Sequence, residues 1–265
     1  MMTSVFRSRR LVVAAVVISY AVCTFGGAEE PGLLFNANFD AYSIKANFAK
    51  GGASTRLFGE ESLQLRMWPG AYGNVNSFAY SKSETCAYPL KGNLDPRQGT
   101  VSFWVSSLGW KPSAKTFQWF VTARQPGFTL HVYKYLWPGH LYFYIEHPGK
   151  DGQVERLSCG TLVEDKDWTE GKWHKLDAVW NETGMKLYVD GILPKTNPKC
   201  AWLKSSVSFP ESIAFPKADA AGEIVINSSP VGSGAEKDER TAIDDIRVWA
   251  RPLSDKEIRD AYEFV

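Results

Sequence analysis

The sequence carries no surplus of charge of either sign. Its 30 Lys and Arg stand against 29 Asp and Glu, for a formal net charge of +1. No basic stripe is left to attract a phosphate backbone, which excludes nucleic acid as a partner. Cysteine and histidine are sparse, at four each. His131, His140, His147 and His174 do not stand at metal-ligand spacing such as His-Glu-x-x-His. There is no Gly-rich phosphate loop and no serine nucleophile elbow. Repeats and low-complexity linkers are absent as well.

Long apolar runs are missing except for one, from Leu11 to about Val22. It is shorter than the roughly 20 residues a spanning helix needs. Arg7, Arg9 and Arg10 precede it, Gly26-Gly27-Ala28 follows, and polarity begins at Glu29. This is the layout of a cleaved secretory signal over residues 1–28, leaving one domain over residues 29–265. An uncleaved anchor is the alternative, and Val22 argues against a lipid on Cys23. The expected location is secreted, or periplasmic/extracellular, with no stable membrane span after cleavage. Cys86, Cys159 and Cys200 then remain. In an exported chain one pair can form a disulfide. Cys159 with Cys200 is the expected pair, because the chain between them can return across a sheet edge. Three buried thiols is the alternative.

What the sequence has is aromatic side chains, including ten Trp, and a regular alternation of apolar and polar residues. The run from Gly171 to Gly191, GKWHKLDAVWNETGMKLYVDG, is the clearest case. His174, Leu176, Ala178 and Trp180 share one parity, and so do Met185, Leu187 and Val189. Side chains alternate across a strand, so this is a hairpin with one face to bury. Asn181, Glu182, Thr183 and Gly184 supply the turn. Similar short runs recur along the chain, among them Leu33–Phe39, Val101–Ser106, Phe117–Ala123, Phe128–Tyr133, Leu141–Glu146, Gln153–Cys159, Ser212–Phe215 and Ala242–Val248. Clusters of Gly, Pro, Asn and Asp separate them, which predicts an antiparallel sandwich or barrel. One helix is expected, at the C-terminus. Ser254 with Glu257 forms a capping box, and Leu253 with Ile258 occupies the hydrophobic-staple positions. Ile258, Ala261 and Tyr262 are placed to pack it.

Four ordered segments resemble the laminin-G-like jelly rolls of the concanavalin A-like lectin/glucanase superfamily. They are LLFNANFD with GEESLQLR, then GTVSFWVSSLGW, then GKWHKLDAVW with MKLYVDG, and last AIDDIRVWARPLSDKEIRDAY. The resemblance implies an all-β, antiparallel two-sheet jelly-roll sandwich with a short C-terminal helix. Val101, Phe103 and Val105 suit its inner face, as do Leu141, Phe143 and Ile145. Tyr142, Tyr144 and Glu146 take the opposite parity, an aromatic and polar face suited to a ligand.

The glucanases of this superfamily place two Glu and an Asp at alternate positions on one strand. No such run occurs here. Glu164, Asp165 and Asp167 come nearest, but Glu164 and Asp165 have opposite parity, and the run reads as a loop. Glu146 and Glu155 face each other if their strands pair. Many relatives carry one structural calcium ion. The resemblance implies that Asp244 supplies a side chain and Gly59 a carbonyl, with Asp40 a further candidate. Calcium takes six to eight oxygen ligands, so these residues do not complete a site.

Trp104, Trp173, Trp180 and Trp249 lie in strands and read as packing residues. Trp68, Trp110, Trp137 and Trp202 lie in expected loops. Exposed rings stack on the apolar faces of sugars. The expected ligand-binding residues are Trp137, Tyr142, Tyr144 and Trp110. The leading expectation is an exported, non-catalytic binding module for carbohydrate. A protein-interaction or adhesion domain is the second reading. A glycan-active hydrolase or lyase with dispersed residues is the third. The partner is accordingly a glycan or an extracellular protein.

Overall fold

The computed structural model describes residues 30–40, 43–58, 66–71, 76–81, 85–149, 151–209, 211, 213–217, 221–226 and 239–264. The expected signal and Gly59 lie outside them.

Strands are numbered along the chain. Two antiparallel sheets stack face to face, with the core between them. The first runs in the order β14 (Ser206–Ser208), β13 (Gly184–Val189), β12 (Trp173–Asn181), β7 (Gly99–Leu108), β16 (Arg240–Trp249), β1 (Leu33–Ala37) and β2 (Phe48–Ala49). A side pair, β5 (Asn76–Ser81) and β4 (Arg66–Pro69), joins it through β16. The second runs β11 (Val154–Leu162), β10 (His140–Pro148), β9 (Phe128–Lys134), β8 (Gln118–Gln125), β15 (Glu223–Ile226), β6 (Thr85–Pro89) and β3 (Arg56–Phe58). The expected two-sheet jelly-roll sandwich is the observed fold.

The inner faces are those the alternation predicts. Val101, Phe103, Val105, Leu141, Phe143 and Ile145 are all buried in the one large core cluster. Phe103 meets Phe120, and Phe143 meets Trp180, each with centroids 6.1 Å apart. Removing a fully buried ring of this kind costs on the order of 3–5 kcal/mol.

The β12–β13 hairpin is a structural device. Asn181 Oδ1 accepts from the Thr183 N–H at 2.9 Å and fixes the turn. Asp190 and Gly191, at φ 52° and 73°, turn the chain at the far end. Asp190 also accepts from the Lys175 N–H at 2.9 Å. Its Oδ2 lies 2.7 Å from His174 Nδ1. The His174 ring lies flat on Trp168, centroids 4.3 Å apart. Trp180 lies over Gly99, where an added Cβ would come within 2.6 Å of the indole. Only glycine fits there.

Helix α1 (Asp255–Glu263) starts at Ser254 with the expected capping box. Leu253 and Ile258 are buried together against Val179, Tyr188 and Trp249. Tyr262 stacks on Trp104 at 5.7 Å. The helix thus covers part of the outer face of the first sheet. Ala261 is exposed and does not pack, contrary to expectation.

Other expectations fail for definable reasons. Residues 213–217 are irregular rather than a strand. β1 ends at Ala37, because Phe39 turns the chain at φ 58°. β6 and β15 were not anticipated, being short and buried with no long alternation to mark them. Cys86, Cys159 and Cys200 are free and buried. Cys159 points into the core, whereas Cys200 joins a cluster outside the second sheet, so the sheet separates the expected pair.

Candidate functional site

Helix α1 packs on part of the outer face of the first sheet, whereas the outer face of the second carries a continuous set of aromatic residues. Register puts Trp119, Tyr133, Tyr142 and Gly160 in one row across β8, β9, β10 and β11. The next row is Thr122, His131, Tyr144 and Ser158. Beyond it come Arg124, Thr129, Glu146 and Arg156. The face therefore grades from aromatic to charged.

The aromatic rings stand like books on a shelf. Phe117 stacks on Trp119 at 5.8 Å, Trp119 on Tyr133 at 4.5 Å, and Tyr133 on Tyr142 at 5.7 Å. Tyr142 stacks on His140 at 6.1 Å, and His140 on Trp202 at 5.7 Å. Aromatic pairs of this kind contribute about 0.5–1.5 kcal/mol each beyond area burial. The consequence is geometric. Rings inside the stack have their faces covered by one another. Faces open to a ligand are found at the end.

That end is a corner of two tryptophans. Trp137 follows β9 and is 47% exposed, and Trp202 follows the 3₁₀ turn Pro198–Cys200 and is 60% exposed. Their rings meet at 86° with centroids 5.9 Å apart. The corner is backed by Tyr135, edge-on to Trp137 at 5.2 Å, and by His140. The segment carrying Trp202 is pinned to the sheet at Gly160, whose N–H donates to the Lys204 carbonyl at 2.8 Å. A Cβ on Gly160 would clash with the Leu141 carbonyl oxygen and come within 2.9 Å of the Leu203 side chain, so the packing here requires glycine.

The expected site residues divide accordingly. Trp137 is exposed, as expected. Tyr142 is mostly buried within the ring stack and supports the corner. Tyr144 is half-buried, and its hydroxyl donates to Glu146 Oε1 at 2.8 Å. Trp110 is corrected: it is 2% exposed in the core, and its Nε1–H donates to Thr241 Oγ1 at 3.0 Å. Trp202, weighed only as a loop residue, is the second wall of the corner. Trp119, His131 and Tyr133 were also missed. Their shared parity on β8 and β9 was the available signal.

Glu146 and Glu155 do not form a facing pair. Glu146 is opposite Arg156, which it meets at 3.1 Å, and Glu155 is opposite His147, 3.6 Å away. The two strands do pair, but the register puts the two Glu on different faces, so pairing does not bring them together. At the charged end of the face, Arg56, Arg124, Thr129 and Glu223 border a groove of about 730 Å³. Glu223 pairs there with Arg56, and with Arg124 at 3.5 Å.

A separate acidic patch surrounds β16. Asp244 is 1% exposed. Its Oδ2 accepts from the Ala71 N–H at 2.9 Å, and its Oδ1 from the Asp245 N–H at 2.8 Å. Burial pushes its carboxyl up to about 7, with Asp245 and Asp40 adding repulsion. Asp40 is raised as well, by burial and then by Asp245. Arg247 pairs with Asp245 at 2.9 Å. Hard oxygen donors with mutual repulsion fit a calcium ion chemically. Among the described residues, however, no three His, Cys, Asp or Glu converge as a ligand set.

A laminin-G-type profile described as "Concanavalin A-like lectin/glucanases superfamily" matches residues 80–259. The chain belongs to that superfamily. No curated protein sequence matches it. Among solved structures, this superfamily member is similar to the receptor-binding domain of botulinum neurotoxin C/D mosaic serotype. The TM-score is 0.59 at 15% identity, over 88% of this chain and 51% of that one. A botulinum neurotoxin type C structure, described as dependent on two ganglioside molecules for cell entry, gives 0.64 at 12% identity, covering 88% and 51%. The chain thus spans about half the length of these toxin domains. Domain 4 of AbnA, an extracellular arabinanase from Geobacillus stearothermophilus in complex with arabinotriose, gives 0.59 at 17% identity, covering 88% and 98%. At these identities the likeness is one of fold.

Proposed function

We propose that this superfamily member is an exported, non-catalytic module that binds glycan at the Trp137–Trp202 corner. The carrying observation is the corner itself: two exposed indoles at right angles, held from behind by a stack of rings. A right-angle pair offers one face to stack on a sugar ring and a second to close on its edge. The supporting residues hold those faces before any ligand arrives, which lowers the ordering cost of binding. The fold neighbours with ganglioside or arabinotriose in their descriptions make a glycan the natural class to test. A calcium ion, on this reading, is structural. Asp244 and Asp40 would hold it at the patch beside β16, where its charge would offset the repulsion among the carboxylates.

The direct experiment is a glycan array probed with the purified protein, including arabinan oligosaccharides and ganglioside headgroups. Binding to at least one class is expected. Silence across the array, with capture by an extracellular protein instead, would overturn the glycan reading.

A further inference from the structure

Behind Trp202 lies a cysteine with a base aimed at it. Cys200 closes the 3₁₀ turn, and its Sγ is 3.6 Å from His140 Nε2. The other ring nitrogen, Nδ1, is 2.8 Å from the Pro138 carbonyl oxygen. A carbonyl only accepts, so Nδ1 carries the proton of the neutral ring and Nε2 is an acceptor. The thiol is therefore the donor. The imidazole cannot easily swing away, because Tyr142 and Trp202 stack on its two sides. A nucleophile, a base and a group that orients the base are the parts that activate a thiol.

The contrast with the other cysteines is sharp. Cys86 and Cys159 lie in the apolar core, 0% and 1% exposed, and burial pushes both thiols up. Buried thiols in apolar surroundings are inert. Cys200 is also buried, at 6% exposed, but it lies outside the core, in the ring cluster of the second sheet beneath the exposed Trp202, and it has a base beside it.

We propose that Cys200 is a modification site for low-molecular-weight disulfides, with His140 as its base. The Cys200 S–H gives its proton to His140 Nε2. The thiolate attacks one sulfur of the small disulfide, whose S–S bond breaks as a new one forms to Cys200. The departing thiolate takes the proton back from His140 and leaves as a thiol. Atoms and electrons balance, with the small disulfide as the only oxidant. This site does not depend on the glycan reading.

The test treats the folded protein at pH 7 with dithiobis(nitrobenzoate), quenches at intervals, and maps the modified cysteines by peptide mass. Cys200 should react at least about tenfold faster than Cys86 and Cys159. His140→Phe keeps a ring between Tyr142 and Trp202 but removes the base, and should slow Cys200 by about tenfold or more. Equal rates at the three cysteines would overturn the proposal, and so would an unchanged rate in a folded His140→Phe. Should that variant fail to fold, the mapping of the parent protein decides alone.

Discussion

Trp137 and Trp202 come from segments 65 residues apart, yet their rings meet at 86° with centroids 5.9 Å apart. Both are exposed, so neither ring is a keystone of the core. Each ring gives up only partly exposed ring contacts, about 0.5–1.5 kcal/mol per pair, so Trp137→Ala and Trp202→Ala are each expected to melt within roughly 6 °C of the parent, short of a core deletion. Thermal unfolding by circular dichroism checks this. A drop of the size caused by a core deletion would mean that the corner is a structural plug.

Trp110 supplies the opposite case. It is buried against Phe120 and Trp168 and donates to Thr241 Oγ1. Trp110→Ala should cost about 3–5 kcal/mol, read as a lower urea midpoint. A cost below about 1 kcal/mol would contradict its place in the core.

His131 makes the aromatic face sensitive to acid. Burial is the main force pushing its imidazole down to about 4 from the ordinary 6.5, against the pull of Glu146. Between these values the unfolded chain holds more protons than the folded one. Stability from this residue is therefore complete above pH 6.5 and is lost as pH falls toward 4. In His131→Phe the loss over that window should be smaller. Urea midpoints at pH 7 and pH 5 for both proteins test this, and equal losses would refute it.

Asp244 tests the calcium reading. If a divalent ion sits there, calcium at 100 times its dissociation constant adds about 2.7 kcal/mol, or roughly 5–10 °C in melting temperature. Asp244→Asn and Asp40→Asn should both lose that increment. Equal melting in calcium and in chelator would remove calcium from the account.

The fold was legible because burial of one face per strand imposes alternation. Leu176 and Ala178 declare their face through the intervening Lys175 and Asp177, and Ser254 with Glu257 declares the helix start. β15, Glu-Ile-Val-Ile, did not declare itself, because its four residues are too few to show a period. The site was legible only in part. Trp137 stood out beside Pro138-Gly139, but its partner lies on a turn whose position depends on the close approach at Gly160. Local sequence does not encode that contact. Trp110 also sits in a loop-like stretch between Gly109 and Lys111. Its burial is set by Phe120 and Trp168, which only the folded chain brings to it.

The central claim is that glycan meets the protein at the Trp137–Trp202 corner. Calorimetric titration with the glycan found on the array, on the parent and on the Trp137→Ala/Trp202→Ala double variant, tests it most directly. Two stacking contacts of about 0.5–1.5 kcal/mol each predict an affinity loss of about five- to a hundredfold, in a protein that stays folded. Unchanged affinity in the folded double variant would contradict the account and move the site elsewhere on the face.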